Sequence, residues 1–315
     1  MKLSLAIALP KNFRRDDFLT FHRRDSKMVA ERWDELCLQK GILWSSMPAC
    51  LSFSFHDEQQ LHVELDVDSG RNKIDKENAG IILQNLVNHM LGLNQATASF
   101  EEFALAHPDL KPLVAQKPGL RVPQSASPFE ALSWAITGQQ ISLSAAVSLR
   151  RKLITKIGIK HSSGILCYPD AEHIARLSEM DLRDCSYSAA KARTLINLSQ
   201  TIERGELPLT KWRDDFFQTG QLPAEEIYQQ LLSLPGIGPW TIHYALLRGF
   251  GWLDGSLHGD VAVRRSLQHL LATRQKFAHD KKITERQAQE WLASFSPWRA
   301  LVAAHLWAMQ LKDVG

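Results

Sequence analysis

A chain of 315 residues is too long for one minimal hydrophobic core and predicts two or three domains. Its net charge is only +3, yet 12 Lys and Arg stand against 16 Asp and Glu in residues 1–110 and 25 against 18 in the remainder. The C-terminal part is therefore the one suited to a polyanionic partner. No apolar run is long enough to span a bilayer. Cys37, Cys50, Cys167 and Cys185 are scattered without a CxxC pair or a His/Cys cluster, which fits reduced thiols in the cytoplasm and offers no side-chain metal site.

In chain order, Met1–Pro10 holds a brief apolar run that lacks an exit site and meets Lys11, Arg14 and Arg15, so it predicts a first β-strand rather than an export signal. A helix is expected at about Asp16–Phe21. Leu51–Phe55 and Leu61–Val67 alternate apolar with polar residues across a polar turn, the pattern of an antiparallel hairpin with one buried face. A second helix follows at about Asn78–Leu91. Residues 1–95 thus read as an α+β domain with an antiparallel sheet and a structural role. Residues 96–126, with Pro108, Pro112, Pro118 and Pro123, read as a linker and the start of a helical body. Residues 127–315 form that body, so the chain is mainly α.

The body opens at Ser127, followed by Pro128 and by Glu130 three places on, a capping-box arrangement. A break at Thr137-Gly138-Gln139-Gln140-Ile141 precedes a helix over Ser142–Ile157. Further on, Ser188, Lys191 and Arg193 suit either a backbone contact or a solvated helix start. An apolar helical run from about Ala224 to Leu234 then stops at Pro235-Gly236, turns through Ile237-Gly238 and restarts at Pro239. Glycines at 236 and 238 let a phosphate approach the backbone, and the new helix offers it free N–H groups. An ordinary helix–helix turn would carry the same residues. Downstream, Gly259-Asp260-Val261 places an acid at another helix start, as a cap or as a working carboxylate. Trp240 and Tyr244 are four apart, on one helix face. The last segment, Ser296–Met309, is a strongly apolar helix.

Leu234-Pro235-Gly236-Ile237-Gly238-Pro239-Trp240 followed by Gly259-Asp260-Val261-Ala262-Val263-Arg264-Arg265 resembles the helix-hairpin-helix DNA glycosylase superfamily and, within it, the bacterial 3-methyladenine DNA glycosylase II family. Ser127–Leu132, Gly138–Ser142 and Pro297-Trp298-Arg299 extend the likeness. The resemblance implies a helix-hairpin-helix body behind a small antiparallel sheet domain, and a monomeric partner of double-stranded DNA with a damaged base. Gly236, Ile237, Gly238 and Trp240 would form the DNA-backbone hairpin, Asp260 would be catalytic, and Trp240, Tyr244 and Trp298 would line the base pocket. Gln140 or Ile141 would fill the gap left by a flipped base; the family commonly has an apolar residue where Gln140 stands.

The expected reaction is hydrolysis of the N-glycosidic bond of alkylated purines, with an ionised Asp260 stabilising positive charge on the sugar. Trp240 stands where strand-nicking relatives place a lysine, so the resemblance implies a monofunctional enzyme. Some relatives carry an iron–sulfur cluster after the catalytic acid; no cysteine follows Cys185 here, so none is expected. A monovalent cation on the carbonyls of Ile237 and its neighbours is implied by the family. Two other readings stay open: a non-catalytic DNA clamp, and a same-fold glycosylase for oxidised or deaminated bases.

Overall fold

In a computed structural model, residues 1–68, 76–273 and 282–310 are described. Five strands, β1 (Lys2–Ala8), β2 (Glu31–Trp33), β3 (Cys37–Trp44), β4 (Met47–Ser54) and β5 (Gln60–Val67), form one sheet in the order β1-β5-β4-β3-β2. Every neighbouring pair is antiparallel, and β4 and β5 form the expected hairpin, with Ser54 opposite His62. Period-two alternation turns Leu61, Val63, Leu65 and Val67 inward. They pack with Leu51 and Phe53 against Phe18 and Leu19 of α1 (Arg15–His22) and Leu83, Val87 and Met90 of α2 (Lys76–Leu91).

β2 and β3 were not expected from the sequence. The outer face of β3 is covered by the 159–168 segment: a Cβ on Gly41 would stand 2.1 Å from the Leu166 carbonyl oxygen, and Tyr168 N–H donates to Gly41 O (3.2 Å). A strand covered on both faces loses its alternation. Lys40, a charge in its middle, is 1% exposed.

Residues 96–126 are more than a linker. They hold α3 (Thr97–Ala106) and α4 (Lys111–Gln116), with Pro112 in the first turn of α4, where a proline starts a helix rather than breaking one. Phe100, Ala104, Leu113 and Val114 join a core with α13 (Val261–Thr273), α14 (Glu285–Ala293) and α15 (Arg299–Gln310). A second core gathers α5 (Pro128–Gly138), α6 (Leu143–Ile157), α7 (Ala171–Ala175), α8 (Glu179–Asp184), α9 (Ala189–Glu203), α10 (Leu209–Thr219) and α11 (Ala224–Leu232). Between the cores runs α12 (Pro239–Ala245), continued by a π-helical turn over Leu246–Phe250. It sends Tyr244 and Leu247 into the first core and Ile242, Leu246 and Phe250 into the second.

Ser127 caps α5 as expected, accepting from Glu130 N–H (3.0 Å), but the Glu130 carboxylate accepts from Ala126 N–H (3.0 Å) and reaches the sheet. Lys40 Nζ donates to Glu130 Oε1 (2.6 Å) and Glu31 Oε1 (2.7 Å), and Arg150 donates to both Glu31 oxygens (2.9 and 2.6 Å). Burial would raise the Glu31 carboxyl, but Arg150 and Lys40 outweigh it and hold it well below the usual carboxylate range. Two acids and two bases thus join strand to helix without net charge.

Removing one member leaves the others uncompensated. Lys40→Met makes two buried carboxylates share Arg150, and we predict a loss of about 3–5 kcal/mol of unfolding free energy, read by urea denaturation. A second prediction concerns pH. Burial lowers His22 well below its ordinary value, His89 to about 3, and His243 and His305 each to about 4. These folded values lie below the roughly 6.5 of an unfolded chain. Their stabilisation is therefore whole above that pH and is lost as pH falls through it toward the folded values. Unfolding free energy should drop between pH 6 and pH 5 by about 1.4 kcal/mol per pH unit for each histidine that stays neutral.

Candidate active site

Ile227 and Leu231 bury one face of α11, and Pro235 ends the run. Gly236 then adopts φ +87°, the left-handed region that favours glycine, and a Cβ there would stand 2.0 Å from Thr194 Oγ1, which itself donates to Pro235 O (3.1 Å). Gly238 is extended, with no atom within 4 Å of its would-be Cβ. It caps α12 and faces open space. Ile237 turns inward, 5% exposed, and pins the hairpin to the core. The turn thus has one glycine, Gly236, that its positive φ and the contact with Thr194 require, and another, Gly238, whose open Cβ position leaves the backbone approachable.

The break after α5 lies beside this hairpin. Gln139 Nε2 donates to both Gly236 O (3.0 Å) and Thr241 Oγ1 (2.9 Å). Gln140 follows at φ +56° and is exposed, as are Ile141 (38%) and Leu143 (59%). All three line the cleft described below. Leu143 escaped the sequence reading because a leucine at a helix start carries no sign that it points outward. Ser188, Lys191 and Arg193 have partners within the protein: Ser188 caps α9, Lys191 Nζ donates to Thr137 O (2.8 Å), and Arg193 pairs with Glu179 (3.2 Å).

Asp260 stands at the start of α13. Its Oδ1 accepts from Ala262 N–H (2.8 Å), Val263 N–H (3.1 Å) and Trp307 Nε1–H (3.2 Å), while Oδ2 accepts from Trp240 Nε1–H (2.9 Å). A carboxylate has about four lone-pair sites. The crowding on Oδ1 leaves Oδ2 as the oxygen with capacity for a further group. The carboxylate is only partly buried, and Val261 beside it is 53% exposed.

It opens on a cleft of about 1360 Å³ lined by the hairpin, the Gln140 turn and a set of aromatic residues. Trp240 and Tyr244 have ring centroids 5.4 Å apart, and Tyr244 and Trp307 6.4 Å. Trp298, expected in the pocket, does not line the cleft. Its ring packs 5.9 Å from Phe100 in the core, and neighbouring Arg299 binds Asp254 through Nε (2.8 Å) and Nη2 (2.9 Å), so the Pro-Trp-Arg motif anchors α15. Trp307, farther along α15, supplies the cleft tryptophan instead.

Sequence reasoning also missed Phe21 and Arg24 of the sheet domain, together with Trp134 and Arg248, all of which line the cleft. The sheet domain is thus part of the site as well as its support. Among the described residues lining the cleft there is no lysine.

A family model described as HhH-GPD superfamily base excision DNA repair protein matches residues 133–294, from α5 through α14 and including the hairpin and Asp260. The chain is 25% identical over 306 residues to a DNA-3-methyladenine glycosylase of Bacillus subtilis (strain 168), covering 96% of each. It is 27% identical over 197 residues to DNA-3-methyladenine glycosylase 2 of Escherichia coli (strain K12), covering 62% of each. Its fold matches that of a 3-methyladenine DNA-glycosylase from Archaeoglobus fulgidus with a TM-score of 0.77 at 20% identity, over 96% of this chain and 97% of that one.

The two hairpin glycines should separate in their effects. Gly236→Ala forces a left-handed alanine into Thr194 and is expected to lower the thermal midpoint by several degrees, whereas Gly238→Ala should leave it within about one degree while weakening binding to duplex DNA. Differential scanning calorimetry and fluorescence anisotropy would check the pair.

Proposed function

The chain belongs to the HhH-GPD superfamily of base excision DNA repair proteins and is a DNA glycosylase, and we propose that it is a monofunctional one acting on alkylated purines. It draws a base such as 3-methyladenine or 7-methylguanine from duplex DNA into the cleft and hydrolyses the N-glycosidic bond, leaving an abasic site in an unbroken strand. The observation that carries this reading is Asp260, held by four N–H groups at the mouth of an aromatic cleft beside the hairpin.

The hairpin N–H groups grip a phosphate without reading sequence. The Gln140 turn enters the stack, with Gln140, Ile141 or Leu143 filling the space of the departed base. The flipped base lies against Trp240 and Tyr244, whose electron-rich faces attract the positive charge of an alkylated purine. As the bond from sugar C1′ to the base nitrogen breaks, its electron pair leaves with the base, and positive charge develops on the deoxyribose. Asp260 stabilises that charge, and Oδ2 orients the water that adds to C1′. A pre-charged leaving base needs little acid catalysis.

Strand nicking in this fold requires an amine to form a Schiff base with the sugar. The absence of lysine among the described cleft residues supports hydrolysis alone. A non-catalytic clamp gains nothing from a carboxylate beside DNA. A monovalent cation on the hairpin would share the Pro235 and Gly236 carbonyls with Thr194 and Gln139, each oxygen having two lone pairs, and would add charge against the phosphate.

The test is base release from N-methylated duplex DNA at matched binding. Wild type should free 3-methyladenine or 7-methylguanine, and Asp260→Asn should bind DNA but lose at least a hundredfold in single-turnover release. Near-normal excision by the variant would remove Asp260 from its assigned role. Borohydride should trap no covalent protein–DNA adduct; a trapped adduct would refute the monofunctional reading.

A further inference from the structure

Arg248 and Arg24 line the cleft, and among the described residues neither is paired with an acid. Arg248 stands one helical step beyond Tyr244 on the row that begins at Trp240, about 12 Å of helix rise from Trp240 for eight residues. It lies within the π-helical turn, whose backbone is fixed from outside: Ser125 N–H donates to Arg248 O (2.9 Å), and a Cβ on Gly249 would come within 2.9 Å of Pro128 Cα. Its Nη1 donates to Pro123 O (2.6 Å), while the buried Nε–H has no partner among the described residues. The guanidinium carbon lies 4.4 Å from the Phe21 ring centre and 5.5 Å from that of Trp307. From the sheet domain Arg24 meets the same Phe21 ring at 4.2 Å and Trp134 at 5.4 Å.

Two features of this arrangement are costly unless they serve a ligand. Two like charges lie against one phenylalanine, and among the described residues neither forms an ion pair with a carboxylate; burial, opposed by the Tyr244 hydroxyl and reinforced by Arg24, lowers Arg248 to about 10, still charged at neutral pH. Donors also remain unused in a partly desolvated pocket, where hydrogen bonding to a neutral acceptor is strong and an unmet donor is penalised. Phe21 carries both guanidiniums, and Trp134 and Trp307 each have one over a face, which leaves Trp240 and Tyr244 as the rings without a cation for an alkylated base. This part of the cleft is therefore poor for a positive group or an amino donor and suited to a carbonyl oxygen.

We infer that Arg248, with Arg24 behind it, is a specificity-determining pair that selects purines bearing a carbonyl at the six position, such as hypoxanthine and 7-methylguanine, over those bearing an amino group, such as 3-methyladenine. This rests on the reading of the cleft as the base pocket. A purine whose sugar bond lies at Asp260 points its six-membered ring away from the mouth, along the row toward Arg248. A guanidinium N–H can donate to a carbonyl there, whereas an amino group would face donor with donor. A site built to donate to a substrate oxygen rejects the analogue that lacks it far more strongly than an apolar pocket rejects a methyl group.

The test uses the full chain and three substrates: a duplex with a single hypoxanthine, and 7-methylguanine and 3-methyladenine released together from one N-methylated duplex. Single-turnover rates are compared for wild type, Arg248→Met and Arg24→Met, with folding followed by circular dichroism. In Arg248→Met the ratio of 7-methylguanine to 3-methyladenine release, and that of hypoxanthine to 3-methyladenine, should both fall roughly ten- to a hundredfold, the worth of a hydrogen bond to a charged group. Arg24→Met, in the turn that follows α1, should shift both ratios in the same direction by less and serves if Arg248→Met does not fold. Equal slowing on all three bases, or unchanged ratios, would overturn the inference and leave the glycosylase reading standing. If wild type released none of the three, the base-pocket reading would fall and this inference with it.

Discussion

Lys40, Glu31, Arg150 and Glu130 form the contact on which the geometry of the site depends. Each is almost fully buried, and the group crosses from β2 and β3 to α5 and α6. Apolar packing alone would let the sheet slide on the helices, since dispersion is indifferent to small displacements. Charges with fixed hydrogen-bond directions tie the two to one register. α1 rests on the sheet, so that register also sets where Phe21 and Arg24 meet the cleft. The same group orders the first turn of α5, because Glu130 receives Lys40 on one oxygen and Ala126 N–H on the other.

α12 is the second organising element. Its start is the Gly238 cap, its middle carries Trp240 and Tyr244 toward Asp260, and its end widens into the π-helical turn that holds Arg248. Because its opposite faces belong to different cores, the helix has no free surface along which to rotate. Trp240 acts twice, stacking near Tyr244 and donating its indole N–H to Asp260. A ring with that donor orients the carboxylate while leaving a face toward the cavity. Phenylalanine would keep the ring and lose the orientation.

How far the sequence could be read depended on whether a residue answered to its neighbours in the chain or to distant ones. The hairpin was legible because Pro235, Gly236 and Pro239 are demands of the local backbone, and Ser127 because a cap acts within one turn. Asp260 was legible with its downstream spacing. Trp298 and Trp307 lie on one apolar segment, and which reaches the cleft depends on how α15 meets α3, through Phe100, some two hundred residues away in the chain. Phe21, near the end of α1, and Arg24, in the turn after it, carry no local sign of a cleft until the sheet is docked. β3 was hidden by Lys40, whose partners come from another strand and another helix. The prolines of residues 96–126 suggested a tether, yet Pro112 begins a packed helix.

Gln139 joins the hairpin and the Gln140 turn with one amide group, bonding the Gly236 carbonyl and the Thr241 hydroxyl at the base of α12. On the proposed function, the turn that would hold the strand and the turn that would enter it are therefore tied into one unit. On that reading the interval between grip and probe is set in the protein, and a duplex would have to bend to match it. Stiff, well-stacked DNA resists that bend, while a lesion that has already loosened its stacking yields. On the proposed function, part of the discrimination between sound and damaged sites would then be mechanical, exerted before any base reaches the pocket.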